Sequence, residues 1–187
     1  MIIIGLDLSF TGTGLVKFKD GGVLDTKLIK TIPEGKDICS RFHRINECLT
    51  EVNDFCFTEF DEEKIIVIEG YSFNSRSGMC FSIGEMGGVI KNHLYQMYLL
   101  KSDKVTKFLE IPPTQLKKFI TGKGQCKKEL ILKEIYKNFG FDTDDNNIAD
   151  AYALAYLGYS VYCVENKISI KLNKVQKEMI DKITKEK

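Results

Sequence analysis

The sequence predicts an α/β protein in which helices flank a mixed sheet. Two continuously apolar runs, IIIGL at residues 2–6 and IIVI at 65–68, are typical of strands that are buried on both faces. Elsewhere the apolar residues recur every three or four positions, as they do in amphipathic helices. The predicted order is three strands, a helix, a strand, a helix, a strand and then helices. No linker or repeat interrupts this order, so one α/β domain is expected.

The first 70 residues supply four strands and one helix. The run at 2–8 predicts a buried strand, and LVKFK and VLDTKLIK extend it as a meander across glycine-containing turns. A long amphipathic helix is predicted over 36–58. Its apolar residues are spaced by three and four: Ile38, Phe42, Ile45, Leu49, Val52 and Phe55. KIIVIEG at 64–70 then predicts a second fully buried strand.

The later elements are mostly helical. The pattern over 80–100 predicts a helix with three glycines on one side, and VTKFLEI after it predicts the fifth strand. Pro112 and Pro113 end that strand and begin a short helix. Two further helices are expected over 126–139 and 147–163.

Composition places the chain among soluble globular proteins, with 43% hydrophobic and 28% charged residues. The longest apolar runs are far shorter than the roughly 20 residues of a membrane span, and no basic lead of a secretory signal precedes the first run. A cytoplasmic location is therefore expected, with no membrane partner. Six scattered cysteines without a CxxC pair argue against a zinc site. The abundance of Lys, Ile and Asn is typical of an AT-rich genome, viral or bacterial.

The net charge of +1 hides a segregation of charge. Residues 117–137 carry seven lysines and two glutamates, a net +5, and residues 167–187 carry seven lysines and three acids, a net +4. The remainder therefore sums to −8. A basic band beside an acidic remainder suits a protein that holds a polyanion near a cation site. Lysines that only solvate helix faces would give the same count.

Three acids lie where a shared site is expected. Both buried strands end in one carboxylate, Asp7 in IIIGLDLS and Glu69 in IIVIEGYS. Ligands gather at the carboxyl ends of central strands in α/β sheets. Asp150 is expected in the first turn of the helix at 147–163, on its apolar side, where an unpaired acid is costly.

Like charges brought this close repel one another unless a cation neutralises them. Oxygen ligands without His or Cys favour Mg²⁺ or Mn²⁺. Each acid also has a local explanation: the helix dipole for Asp150, a turn for Asp7, and a lysine partner for Glu69. Together, three such acids in one fold favour one shared site.

Four segments carry a resemblance to a known family. IIIGLDLSFTGTGLV, IVIEGY, PPTQLKKFITGKGQCKKELI and ADAYALAYLGY resemble, in order, the first strand, the second acidic strand, the lysine segment and the closing helix of the RuvC family of Holliday-junction resolvases. The likeness runs from residue 2 to about 160. It implies an RNase H-like mixed five-stranded sheet and a homodimer that nicks opposed strands of a four-way DNA junction with Mg²⁺, or with Mn²⁺ in its place. Residues 1–165 are then the nuclease domain and 166–187 a lysine-rich, helical tail.

The resemblance also implies which residues act. By position, the metal ligands are Asp7, Glu69 and Asp150. The fourth ligand is open, because Asn147 stands where many relatives have an acid: Asn147 binds through its amide oxygen or through a water, or Asp145 reaches in instead. Leu8 and Ser9 replace the common Pro-Gly after the first acid.

The DNA contacts are expected from a loop and from the lysine band. YSFNSR at 71–76 follows the second acid where the family places a loop that enters the junction, and Tyr71 or Phe73 would stack on an unpaired base there, or else pack in the core. The expected DNA-binding residues are Lys117, Lys118, Lys123, Lys127, Lys128, Tyr71, Phe73, Asn74 and Arg76. The glycine-containing helix at 80–100 is the candidate dimer contact, although glycines also suit packing inside one subunit.

The resulting hypothesis is two-metal phosphodiester hydrolysis. Asp7 would bridge two Mg²⁺ ions, Glu69 and Asp150 would complete their shells, and Lys128 would offset charge on the phosphate as a fourth catalytic residue. Three alternatives stay open. They are a nuclease acting on flaps, forks or other branched DNA, a non-catalytic junction-binding protein, and an ATP-dependent phosphotransferase of the same fold, to whose phosphate loop DLSFTGTG has a distant likeness.

Overall fold

A single mixed sheet organises the protein, whose computed structural model describes residues 1–58, 61–71, 79–100 and 104–185, with 79 and 80 described by secondary structure alone. The five strands are β1 (Ile2–Asp7), β2 (Thr13–Lys19), β3 (Gly22–Ile29), β4 (Lys64–Glu69) and β5 (Val105–Ile111), in the spatial order β3-β2-β1-β4-β5. β1, β2 and β3 form an antiparallel meander, whereas β4 runs parallel to both β1 and β5. The mixed five-stranded sheet and the predicted order of elements are therefore present.

Helices cover both faces of this sheet. They are α1 (Ile38–Cys56), α2 (Met79–Leu99), α3 (Pro113–Thr121), α4 (Lys128–Phe139), α5 (Asn146–Glu165) and α6 (Lys174–Lys185). α1 and α2 pack on one face, and α5 packs on the other with α3, α4 and α6 around it. Within the part of the chain that the structure describes, no helix combines the length and the apolar character needed to cross a membrane.

The alternation of side chains along the central strands decides where the two strand acids point. Ile4 belongs to the core beneath α1 and α2, whereas Ile3 belongs to the core beneath α5. Because successive side chains of a strand face opposite sides, Asp7 shares the α5 side with Ile3. Glu69 shares that side with Val67 for the same reason. Both acids therefore emerge on the face that α5 covers.

Two glycines let α5 lie close against the sheet. A Cβ atom at Gly5 would lie 2.1 Å from the carbonyl oxygen of Ala151, and one at Gly14 would lie 2.1 Å from that of Asn147. Any larger residue at either position would collide with the helix backbone. The first turns of α5 are thus held directly above β1 and β2, and Asp150 is held with them.

The helical boundary near Asp150 differs from the expectation. α5 begins at Asn146, and Asp145 is its N-cap, whose side chain accepts hydrogen bonds from the backbone N–H groups of Asn147 and Ile148. Asp150 therefore lies in the second turn, and its predicted place in the first turn was wrong. The helix dipole acts mainly within the first turn, so it offers little explanation for this buried carboxylate.

The last helix packs back onto the domain. Met179 and Ile180 are buried in the core that α5 shares with α3. The Gln176 side chain donates a hydrogen bond from Nε2 to the carbonyl oxygen of Phe119 at 3.2 Å. Phe119 lies in the last turn of α3, where carbonyl groups lack partners within the helix. α6 thus supplies a cap for α3 and covers part of the core.

Candidate active site

Asp7 and Glu69 lie side by side because their strands are parallel neighbours in register. Leu6 is paired with Ile68, so the next residue of each strand carries an acid at the same edge of the sheet. A hydrogen bond between the two carboxyl groups is one of the influences on their pKa values, raising that of Asp7 and lowering that of Glu69. After Asp7, Thr13 closes the turn by accepting from the Ser9 N–H at 3.1 Å and donating to its carbonyl oxygen at 2.9 Å.

Asp150 joins these acids from α5 to form one pocket. A cavity of about 610 Å³ is lined by all three carboxylates and by Asn147. Asp7 and Asp150 are only 6% and 7% exposed, and Glu69 is partly buried. Residues separated by more than sixty positions in the sequence thus present their acidic groups to the same space.

The cost of this arrangement appears in the pKa values of the acids. Burial, followed by the charges of Glu69 and Asp150, raises the pKa of Asp7 well above its usual value. Burial and the charge of Asp150 raise the pKa of Glu69 to about 7. Burial also raises the pKa of Asp150, against the opposing effect of Lys128 and Lys117. Protons or cations are therefore needed to offset the charge of this pocket near neutral pH.

The donor set fits a hard divalent cation. The pocket offers carboxylate oxygens and the amide oxygen of Asn147, and none of its described lining residues is His or Cys. Mg²⁺ and Mn²⁺ prefer such oxygen ligands. Among the described residues, no three His, Cys, Asp or Glu side chains are already gathered into a closed metal shell. The three acids instead surround an open cavity, so the side chains would have to adjust on binding an ion.

The two candidates for a fourth ligand differ in their surroundings. Asn147 lines the cavity. Asp145 does not line it, and its Oδ1 atom caps α5 by accepting from the N–H groups of Asn147 at 2.8 Å and Ile148 at 3.2 Å. These contacts favour Asn147 over Asp145 as the fourth metal ligand. Asn147 lines the cavity, whereas the side chain of Asp145 is occupied in capping α5.

Two lysines face the carboxylates from neighbouring helices. Lys117, in the middle of α3, and Lys128, the first residue of α4, both line the cavity. Their positive charges act to lower the pKa values of Glu69 and Asp150. α3 ends at Gly122, whose φ of 76° is in the left-handed region and turns the chain toward α4. This turn brings the start of α4 back toward α3, so that Lys117 and Lys128 line the same cavity.

The other predicted DNA-binding residues differ in their relation to the cavity. Lys118, Lys123 and Lys127 are exposed and do not line the cavity. Tyr71 lines it and is 43% exposed. Three members of the predicted loop, Phe73, Asn74 and Arg76, lie outside the described residues.

Three side chains of the cavity wall that come from α2 were missed in the sequence: Phe81, Ile83 and Lys91. Phe81 is 81% exposed, and Lys91 places its ammonium group 3.7 Å from the centroid of the Tyr71 ring. The sequence drew attention to the glycines of this helix as a dimer contact. The structure shows that Gly87 accommodates Tyr71, since a Cβ atom there would lie 3.0 Å from the ring, whereas Gly84 faces open space.

Comparison with known proteins relates this chain to one group. No protein-family model matches the chain. It is 28% identical over 167 residues to the crossover junction endodeoxyribonuclease RuvC of Carboxydothermus hydrogenoformans, covering 85% of this chain and 96% of that protein. It is 27% identical over 162 residues to the protein of the same name from Caldicellulosiruptor saccharolyticus, covering 83% of this chain and 90% of that protein. The predicted resemblance to RuvC is confirmed.

Solved structures extend the RuvC likeness to the fold. Thermus thermophilus RuvC superposes with a TM-score of 0.66 at 19% identity, over 89% of this chain and 97% of that one. The same protein in complex with a Holliday junction substrate superposes with a TM-score of 0.61 at 21% identity, over 86% and 94% of the two chains. The RuvC-like, RNase H-like fold predicted from the sequence is thus present.

Proposed function

We propose that this protein is a metal-dependent endonuclease that resolves four-way DNA junctions by paired, symmetric nicks. One observation carries the proposal: Asp7, Glu69 and Asp150 line the same cavity as Lys117 and Lys128. Acids that can hold cations, next to lysines that can hold phosphates, are suited to metal-dependent phosphodiester hydrolysis. The RuvC names of the relatives and the junction bound by the Thermus thermophilus protein support four-way junctions as the substrate.

We assign cation binding to the acids of the pocket and contact with the scissile phosphate to Lys128. Asp7, Glu69 and Asp150 would hold the Mg²⁺ ions through their carboxylate oxygens, with Asn147 as the fourth ligand. The chemistry that the bound ions supply is activation of a water and stabilisation of the departing 3′ oxygen. Lys128, whose charge acts on all three acids, would offset charge on the scissile phosphate.

The exposed lysines would hold the DNA outside the pocket. Lys118, Lys123 and Lys127 follow Lys117 along the segment that turns from α3 into α4. Contacts of this kind to backbone phosphates position DNA without reading its sequence. They also make binding weaken steeply as salt is raised, because each contact releases counterions.

Paired nicks require two active sites, so we propose a homodimer. α2 is the candidate contact, because one face packs Met86, Ile90 and Leu94 into the core while Tyr95 and Leu99 are exposed. We further propose that residues 1–165 form the nuclease domain and 166–187 a lysine-rich tail. The protein would act where its genome is replicated, in the cytoplasm of a cell.

The test is cleavage of labelled four-way, flap, fork and linear duplex DNAs in Mg²⁺ and in Mn²⁺. Asp7→Asn should bind the junction and leave it uncut, because the substitution removes the shared carboxylate and keeps the shape of the side chain. Asp25→Asn is the matched control, since Asp25 is exposed on β3 and away from the pocket.

The other outcomes each identify an alternative. Normal cleavage by Asp7→Asn would remove the metal assignment. Binding without cleavage by the unaltered protein in both metals would favour a non-catalytic junction-binding protein, and faster cutting of flaps or forks would favour a different branched substrate. ATP turnover without DNA would favour a phosphotransferase.

A further inference from the structure

Tyr71 is held in a defined place beside the candidate metal ligands. It follows Glu69 by two residues, and the intervening Gly70 keeps the chain on the sheet by donating its N–H to the carbonyl oxygen of Ile111 at 2.8 Å. The phenolic hydroxyl donates to the carbonyl oxygen of Gly84 at 3.3 Å. The ring rests on α2 where Gly87 has no side chain.

The ammonium group of Lys91 contacts a face of the Tyr71 ring. This group lies 3.7 Å from the ring centroid, within the range of a cation–π contact, and 2.8 Å from Oε1 of Glu110 on β5. Lys91 is four residues after Gly87, so both lie on one face of α2. The Lys91 side chain is only 13% exposed. Because Glu110 already compensates its charge, this lysine is better suited to holding the ring than to holding a phosphate.

The cavity is lined by two chemically different groups of residues. One group comprises the carboxylates with Lys117 and Lys128, and the other comprises Tyr71 and Phe81. A volume of about 610 Å³ exceeds what a phosphate group needs. A nucleotide joins a charged phosphate to a flat, largely apolar base, and aromatic rings stack on bases of any sequence. The aromatic group therefore fits a base next to the phosphate that the lysines bind.

We propose that Lys91 is a positioning residue which, with Glu110, fixes the Tyr71 ring as the wall on which an unpaired base of branched DNA stacks. This inference rests on the proposed function, since it needs DNA in the pocket. Lys91 touches the ring and acts on the DNA only through it. Losing the charge of Lys91 therefore matters only while the Tyr71 ring is present.

The test uses two measurements. The first is the quenching of 2-aminopurine placed at the branch point of a four-way junction, measured in the Asp7→Asn background so that nothing is cut. The second is the single-turnover cleavage rate of a fully paired junction and of one with two mismatched base pairs at the branch point. Lys91→Met removes the charge but keeps an unbranched side chain, and Lys91→Arg restores a cation that suits both the ring and the carboxylate.

Lys91→Met should lose most of the quenching and cleave the paired junction about tenfold more slowly, within the range expected for one base stacked on an aromatic ring. Lys91→Arg should recover both. The loss should shrink on the mismatched junction, where the base is already unpaired. Lys91→Met combined with Tyr71→Ala should be no slower than Tyr71→Ala alone. Lys27→Met, which breaks the Lys27–Glu51 ion pair away from the pocket, controls for loss of one positive charge.

Unchanged quenching with Lys91→Met, in a protein that cuts junctions, overturns this inference and leaves the proposed function standing. Additive losses of Lys91→Met and Tyr71→Ala overturn it too, because Lys91 would then contact DNA independently. A protein that neither cuts nor binds branched DNA overturns both proposals. Thermal unfolding of each variant checks that it is folded.

Discussion

Replacing Glu69 by Gln should stabilise the metal-free protein at alkaline pH. The pKa of Glu69 is raised from 4.5 to about 7 by burial and by the charge of Asp150. The folded state therefore holds a proton that the unfolded state releases between these two pH values. Stability from this group is fully present below pH 4.5 and is lost as pH rises through 7. Gln cannot ionise, so the variant avoids that loss.

The magnitude follows from the size of the shift. A difference of roughly 2.5 pKa units corresponds to about 3 kcal/mol at pH 8, because one unit is worth about 1.4 kcal/mol. For a protein of this length, that would raise the unfolding temperature by about 6–12 °C. The gain should be small at pH 4.5, where the carboxyl group is protonated in the folded state and half protonated in the unfolded state.

The assay is thermal unfolding in EDTA at pH 4.5 and at pH 8. Glu62→Gln is a control for which the change in stability at pH 8 should have the opposite sign. Hydrogen bonds and ion pairs with Lys19 and the N-terminus lower the pKa of Glu62 to about 2, so its contribution is present above pH 4.5 and is lost as pH falls toward 2. Glu62→Gln should therefore lower the unfolding temperature at pH 8. A Glu69→Gln variant that is less stable than the parent at pH 8, or equally changed at both pH values, would refute the reasoning.

Two more predictions concern the scaffold. Gln176→Leu should lower the free energy of unfolding by about 1–3 kcal/mol in urea titration, because it leaves the buried carbonyl of Phe119 without its donor. Lys174→Gln is the control, because Lys174 is an exposed residue of the same helix. Equal stability of the two variants would contradict the capping role of Gln176. Gly5→Ala should lower the free energy of unfolding by about 1–3 kcal/mol. The new Cβ atom would lie 2.1 Å from the carbonyl oxygen of Ala151 and would push α5 away from the sheet. Unchanged stability and unchanged Mg²⁺-induced stabilisation of that variant would show that the close approach of α5 is not needed.

The sequence predicted the structure best where a local pattern of apolar and acidic residues determines the outcome. An apolar run that ends in an acid predicts both a buried strand and the edge at which its carboxylate emerges, and this applied to Asp7 and Glu69 alike. The turn occupied by Asp150 was misjudged because several residues before it are able to cap a helix, and only the fold selects Asp145. Lys91 was not predicted, because its role depends on β4, β5 and α2 meeting at Tyr71, which no local pattern encodes.

The fold holds the three acids together against their mutual repulsion. α5 is buried along most of its length, with Ala151, Leu154, Leu157 and Val161 in the core, so its place on the sheet is set by apolar packing that does not depend on Asp150. Asp7 and Glu69 are fixed by strand register in the same way. Their backbone positions cannot shift without disrupting the core, and the raised pKa values are the electrostatic consequence of holding the three acids together. Divalent cations entering this pocket would relieve a repulsion that is already present, so Mg²⁺ should stabilise the parent protein at pH 8 more than it stabilises Glu69→Gln.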